Sequence, residues 1–346
     1  MDKELVISTS EKGSRIALLE DSKLTEFYFD ESGNNFVVGD TYFGVVKKVV
    51  PGLNAAFIDI GYDRNAFMHY RDLGSQFNNL KTFVRAVQTR KNATPKLTNF
   101  NLEKDIYKFG KISDVLSKNQ NLLVQIVKES ISTKGPRISC DLSFPGRYLV
   151  LVPFSNVINI SKRVTNNAER QRLGRLVKSI KPNNFGVIVR TVAEGKEVAE
   201  LVKDLDGLVK KWEEGIVTLT NAVTGTKIIG EIGRTSTILR DLLNESFDSI
   251  TIDSKELYDE IKLYVRTIAP EKEKIVKLYN SKLKIFETFG IEKQLKSLFG
   301  KTVNVTGGGY IVIEHTEALH VIDVNSGISS DTSLDQETRA LNVNLS

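Results

Sequence analysis

Residues 39–70, GDTYFGVVKKVVPGLNAAFIDIGYDRNAFMHY, restrict the fold more than any other stretch of this chain. Short β-rich runs follow one another with only Pro51-Gly52 and Gly61-Tyr62-Asp63 to break them. Strands so closely spaced, joined by such turns, predict a small barrel. Side chains alternate across a strand. In NAAFIDIG this puts Ala56, Ile58 and Ile60 on one face, and Ala55, Phe57 and Asp59 on the other. In RNAFMHY it puts Phe67 with Asn65 and His69, opposite Ala66 and Met68. The apolar set belongs in the core. Phe57 and Phe67 then share a wetter face, which is what stacking of nucleic-acid bases needs. Lys128, Lys134 and Arg137 are available for phosphates. A bulge of one residue would instead turn both phenylalanines into the core, and alternation does not decide between the two.

Charge points the same way. Lys and Arg exceed Asp and Glu by 48 to 43, a net charge of +5. Between Lys81 and Arg190 there are 21 Lys and Arg against 6 Asp and Glu, or +15, so the remainder sums to −10. A basic segment of this kind fits an anionic partner, nucleic acid first, although a solvated basic face has the same composition.

The 346 residues suffice for two or three domains with real cores. No apolar run approaches the length of a membrane span, and MDKELVISTS has no secretory-signal pattern. The single cysteine, Cys140, rules out an internal disulfide or a CxxC zinc site. A reducing cytoplasm is the expected compartment. Before the barrel, LVIST, SRIALLED and KLTEFYFD read as strands. After it, residues near 74–105 are polar, Asn-rich and basic, and read as a long surface insertion. NNAERQRLGRLVKSI reads as a helix. So does the stripe Val198, Leu201, Val202, Leu205, Leu208, Val209 and Trp212.

Two further places carry candidate chemistry. In VIVRTVAEGKEVAELV, Arg190 and Thr191 fall where a strand ends and a helix is about to start. An arginine fork and a hydroxyl there suit a terminal phosphate, with Lys162 and Arg163 adding charge, but a plain strand-to-helix turn reads identically. In ALHVIDVNSG, alternation puts Leu319, Val321, Asp323 and Asn325 on one face of an otherwise apolar strand expected to be buried. Such oxygens suit a hard cation. They also suit a turn. The glycine-rich TGGGY lacks the GxGxxG spacing and the following helix that a nucleotide-binding enzyme would need.

The segments YFGVVKKVVPGLNAAFIDIGYDRNAFMHYRDL, GRYLVLVP, GVIVRT, GGYIVIEHTEAL and IDVNSG, in this order, resemble the ribonuclease E/G family over essentially the whole chain. The resemblance implies an α+β multidomain protein. Residues 1–35 and 236–298 would form a ribonuclease-H-like domain. It would be interrupted by an OB-type RNA-binding barrel at 36–140, with its basic insertion near 74–105, and by a 5′-end sensor at 141–235. Residues 299–346 would begin a DNase-I-like α/β domain. The implied activity is Mg²⁺-dependent endonucleolytic hydrolysis of single-stranded RNA, favouring 5′-monophosphate ends. Phe57, Phe67 and Lys134 would contact RNA. Arg190 and Thr191, with Lys162 and the backbone around Gly146 and Val150, would hold the 5′-phosphate. Asp323 would bind the metal, with Asn325 its polar partner in catalysis. Lys162 stands where the family pattern has arginine, which keeps the charge but loses the planar fork.

Ser333 with Gln336 reads as a capping box, and Leu341 and Leu345 continue a helical stripe that the chain leaves in mid-course. In the family, such a helix leads to a strand with a second metal-binding aspartate. A cysteine pair that links subunits through zinc, and a small dimerisation domain, follow. None of these is in the sequence, and Cys140 does not replace the zinc link. Two readings therefore stand: an endoribonuclease of the E/G type, or a catalytically inactive RNA-binding fragment of one.

Overall fold

The computed structural model describes all residues except 1, 32–35, 90–94, 132, 232, 245, 306–307, 328–334 and 346, and leaves the side chains of 336, 339, 340, 342 and 343 undescribed. The expected Ser333–Gln336 capping box lies outside the described residues. The chain forms two compact units, residues 1–32 with 243–346, and residues 33–242.

The first unit is built on a five-stranded sheet in the order 276–278, 247–252, 3–10, 13–20, 23–31. The N-terminal strands are an antiparallel meander, with Val6 opposite Ala17 and Ile16 opposite Tyr28. Strand Lys3–Ser10 also pairs in parallel with Phe247–Ile252, Leu5 opposite Ile250. Local turns dictate the meander, whereas the parallel pairing joins segments from opposite ends of the sequence. Helix Lys255–Ile268 buries Ile261 and Val265, and the Ser254 hydroxyl accepts from Leu257 N–H at its start. A separate antiparallel sheet holds strands 302–304, 310–315 and 320–325.

In the second unit, strands Thr41–Val50, Ala55–Asp59, Ala66–His69, Arg137–Ser139 and Asn121–Lys128 hydrogen-bond in a ring. Pairing of the first with the last, Tyr42 opposite Val124, closes a five-stranded barrel. The result is a mixed α+β chain whose barrel is consistent with an OB-like domain. Strand Lys227–Ile229 adds to the rim beside Thr41 and Tyr42. The barrel interior is filled by Val46, Ala56, Ile58, Ala66, Met68, Ile126 and Ile138, all essentially fully buried. A second sheet orders strands 158–160, 185–189, 149–153 and 144–145. Helices Asn167–Ile180 and Val198–Leu219 belong to the same segment of chain.

Residues 74–105 differ from the expected surface insertion. Phe77–Gln88 is a helix that buries Phe77, Leu80, Phe83, Val84 and Val87. Phe83 stacks on Trp212 with centroids 5.8 Å apart and meets Phe154 edge-on at 5.4 Å. Leu97 is buried as well, and Asn184 donates to the carbonyls of Leu97 and Phe100. The polar composition that suggested a surface belongs to the helix's outer face. Of the helical stripe on Val198–Leu219, Leu201, Leu205, Leu208 and Trp212 are buried, whereas Val198 is exposed.

Candidate nucleic-acid interface

The alternation read across the barrel strands is the one the structure adopts. Ala56 and Ile58 face the core, while Phe57 and Phe67 are half-buried on the outer face. The two rings sit directly opposite each other on neighbouring strands, edge to face, with centroids 5.8 Å apart. Register extends this pair into a row around the barrel. Lys48 lies opposite Phe57, Phe67 opposite Arg137, and Arg137 opposite Lys128. The row is therefore cation, aromatic, aromatic, cation, cation on one face of five strands. Arg137 is fixed by Asp72 through two bonds of 2.8 and 3.1 Å. The hydrogen bonds it donates to Asp72 also raise the Arg137 guanidinium above its ordinary pKa. Beside the row, the Gly61 N–H, helped by Lys47 at 3.1 Å, holds the Asp59 carboxyl below its usual range. Lys134 is exposed on the turn that Ile131 O closes. Pro136, two residues on, accepts the Phe67 N–H.

The candidate phosphate residues gather at one end of the second sheet. Strands Ile158–Ile160 and Phe185–Val189 run parallel, so Ser161 and Arg190 emerge side by side. The Ser161 and Thr191 hydroxyls are 3.0 Å apart, and Lys162 is exposed next to them. Val150 lies opposite Ile188, and the Gly146 carbonyl accepts from Arg190 Nη1 at 2.7 Å. The helix start expected immediately after Arg190 is not there. Thr191–Ala193 is a single 3₁₀ turn, and the long helix begins at Val198. The Arg190 guanidinium instead forms an ion pair with Asp241 Oδ1 at 2.8 Å, and Arg240 holds the same oxygen at 3.0 Å. Close by, Asp204 accepts the backbone N–H groups of Arg147, Tyr148 and Leu149 at 2.9–3.0 Å. A Cβ on Gly146 would come within 2.6 Å of that carboxylate, so glycine is needed there for the close approach.

Asp323 and Asn325 do share a face. Asn325 Nδ2 donates to Asp323 Oδ2 at 2.9 Å. The strand itself is not buried as expected, since Val321, Ile322 and Val324 are 42%, 61% and 54% exposed. Among the described residues no group of three His, Cys, Asp or Glu side chains is placed to hold a metal ion. The pair supplies one carboxylate and one amide. That donor set fits a hard cation such as Mg²⁺, which uses one or two carboxylates and completes its shell with water and substrate phosphate. It lacks the cysteine and histidine ligands that dominate zinc sites.

Sequence reading missed Lys48 and Asp241. Lys48 was visible as half of the Lys47-Lys48 pair in VVKKVV, but its place opposite Phe57 depends on a register shift between Val46 and Lys48. Asp241 has no local signal, because its partner lies 51 positions earlier in the chain.

The model of the ribonuclease E/G family matches residues 143–346, more than half of the chain. Ribonuclease G of Haemophilus influenzae is 33% identical over 324 residues, covering 94% of this chain and 62% of that protein. Ribonuclease G of Escherichia coli strain K12 is 30% identical over 327 residues, with 94% and 63% covered. Ribonuclease E of Nostoc sp. is 31% identical over 346 residues, with 98% and 45% covered. The chain thus spans somewhat under two thirds of the length of the ribonuclease G proteins it matches. With a family model over more than half of its length and relatives that align along nearly all of it, the chain belongs to the ribonuclease E/G family.

Proposed function

We propose that this chain carries the RNA-recognition surface and the first metal carboxylate of an endoribonuclease of the E/G type. The substrate is single-stranded RNA undergoing processing or decay, with 5′-monophosphate ends preferred. The observation that carries the reading is the row Lys48, Phe57, Phe67, Arg137 and Lys128 on the outer barrel face. Unpaired bases stack on the two rings, each worth ~1–3 kcal/mol, and the flanking cations and Lys134 take phosphates. Arg190, Thr191 and Lys162 grip the terminal phosphate once it displaces Asp241 from Arg190. Lys162 contributes a point charge rather than a fork, which loosens that grip. Asp323 holds Mg²⁺, with its carboxylate oriented by Asn325. Bound there, the ion would activate water and stabilise charge on the scissile phosphate.

A second reading, RNA binding without cleavage, is favoured by one observation: among the described residues Asp323 belongs to no group of three His, Cys, Asp or Glu side chains that could hold a metal ion. One experiment separates the two. The chain and its Asp323→Asn variant are incubated with a 5′-monophosphorylated, A/U-rich single-stranded RNA, with and without Mg²⁺. The enzyme reading expects Mg²⁺-dependent cutting that the variant loses. Binding with no cutting by either protein would establish the second reading, and no binding would contradict both.

A further inference from the structure

The barrel's aromatic row does not end at Lys48. A groove of about 590 Å³ lies beside that residue and takes in Lys47, Lys48 and Lys118. At the residue after Lys118 a second groove begins, of about 520 Å³, on the surface of helix Phe77–Gln88. Its walls include Lys81, Arg85 and Gln88 from the helix, Asn119 and Gln120 from the turn, and Asn121 at the start of the barrel strand.

Three features of this second groove suit an anionic strand. Lys81 and Arg85 stand four residues apart on one helical face, where like charges repel and an anion between them relieves the repulsion. Among the described residues neither forms an ion pair with a carboxylate. The turn is also held rigidly: Asn119 N–H donates to Val46 O at 2.8 Å, and Asn121 Nδ2 donates to Gln88 Oε1 at 3.0 Å. Gln120 uses Oε1 to accept from Ser117 N–H at 3.2 Å, while its Nε2 is buried with no acceptor. A buried donor left unsatisfied is unfavourable, and a ligand oxygen would satisfy it.

The geometry points to this groove as a second RNA subsite. It takes the sugar–phosphate backbone of a strand whose bases are stacked on Phe57 and Phe67, beyond the stretch those rings hold. Lys81 and Arg85 take phosphates, and the amides take ribose and base edges without strong sequence preference. The volume is that of a small-ligand pocket, ample for a nucleotide unit. Continuity through Lys48 and Lys118 argues for RNA over an acidic protein. The inference rests on the RNA reading of the barrel row.

The test is equilibrium binding of two unstructured RNAs by the full chain over a range of salt. One RNA is only long enough to cover the aromatic row, and the other is several nucleotides longer. Both side chains are exposed, so Lys81→Glu with Arg85→Glu leaves the core untouched, and Lys81→Gln with Arg85→Gln serves as a milder second variant. The expected result is a roughly tenfold loss for the longer RNA in the charge-reversed variant and a smaller loss in the neutral one. The slope of log K against log salt should fall by about 0.7 for each contact removed, with the shorter RNA unaffected. Unchanged affinity and slope for the longer RNA, or equal losses for both lengths, would overturn the subsite. Phe57→Ala, measured alongside, reports separately on the barrel row: if it has no effect on the shorter RNA, the underlying RNA reading is what has failed.

Discussion

At the scale of single residues, Asp241 determines what Arg190 is free to do. The guanidinium read from sequence as a phosphate ligand is already engaged, by Asp241 and by the Gly146 carbonyl. A 5′-phosphate must displace the carboxylate. Asp241→Asn should therefore raise affinity for 5′-monophosphorylated RNA by roughly fivefold, the worth of a partly exposed ion pair of ~1 kcal/mol. Arg240 keeps Glu231 and the Pro145 carbonyl in that variant, so the local fold should hold. Binding of 5′-hydroxyl RNA should not change, and an equal gain for both ends would count against the role. Glu169 makes a different prediction. Its hydrogen bonds from Arg172, then from Gly195 N–H, hold its carboxyl down to about 2 from an ordinary 4.5. The folded state thus prefers the ionised form. The stabilisation is fully present above about pH 4.5 and is lost as pH falls towards 2. The stability gap between the native chain and Glu169→Gln, followed by urea unfolding, should close over that window. A gap that stays constant would show that the ionised carboxylate is not the source. Residues such as Phe57 were legible because alternation is local. Asp241 and Asp204 were not, because their partners are set by tertiary packing.

At the scale of elements, period and turn chemistry predicted the barrel strands, the helix Asn167–Ile180 and the stripe on Val198–Leu219. The same reasoning failed at Phe77–Gln88. There the outer positions Asn78, Lys81, Thr82 and Arg85 set the impression of a polar insertion, while Phe77, Leu80, Phe83, Val84 and Val87 occupy helical spacing on the inner face. Composition averaged over the segment hid a pattern that the spacing contains. If the helix is part of the core, Phe83→Ala should cost ~3–5 kcal/mol by chemical denaturation, as deletion of a buried aromatic does. A cost within ~0.5 kcal/mol would return the segment to the surface. In strand His320–Asn325, Ile322 and Val324 fall on one face, and Val321 shares the other with Asp323 and Asn325. That pattern made Asp323 conspicuous in sequence, although the strand's side chains are largely exposed.

For the molecule as a whole, the charge split along the sequence carries the most information. An excess of +15 between residues 81 and 190 falls within the unit that holds the barrel, the phosphate-end residues and both basic grooves. Among the described residues no helix is long and apolar enough to cross a membrane. The closure of the barrel and the pairing of Lys3–Ser10 with Phe247–Ile252 were not readable from local pattern, since both join segments distant in sequence. Family membership is consistent with a nuclease, but it is the outer barrel row on which RNA recognition stands or falls. The most direct measurement is therefore the affinity of the full chain and of Phe57→Ala for single-stranded RNA as salt is varied. Log K should fall with log salt by about 0.7 per phosphate contact in both proteins. The variant should bind more weakly by ~1–3 kcal/mol at every salt concentration, because it loses stacking and not charge. Binding insensitive to salt, or a variant indistinguishable from the native chain, would contradict RNA recognition by the row.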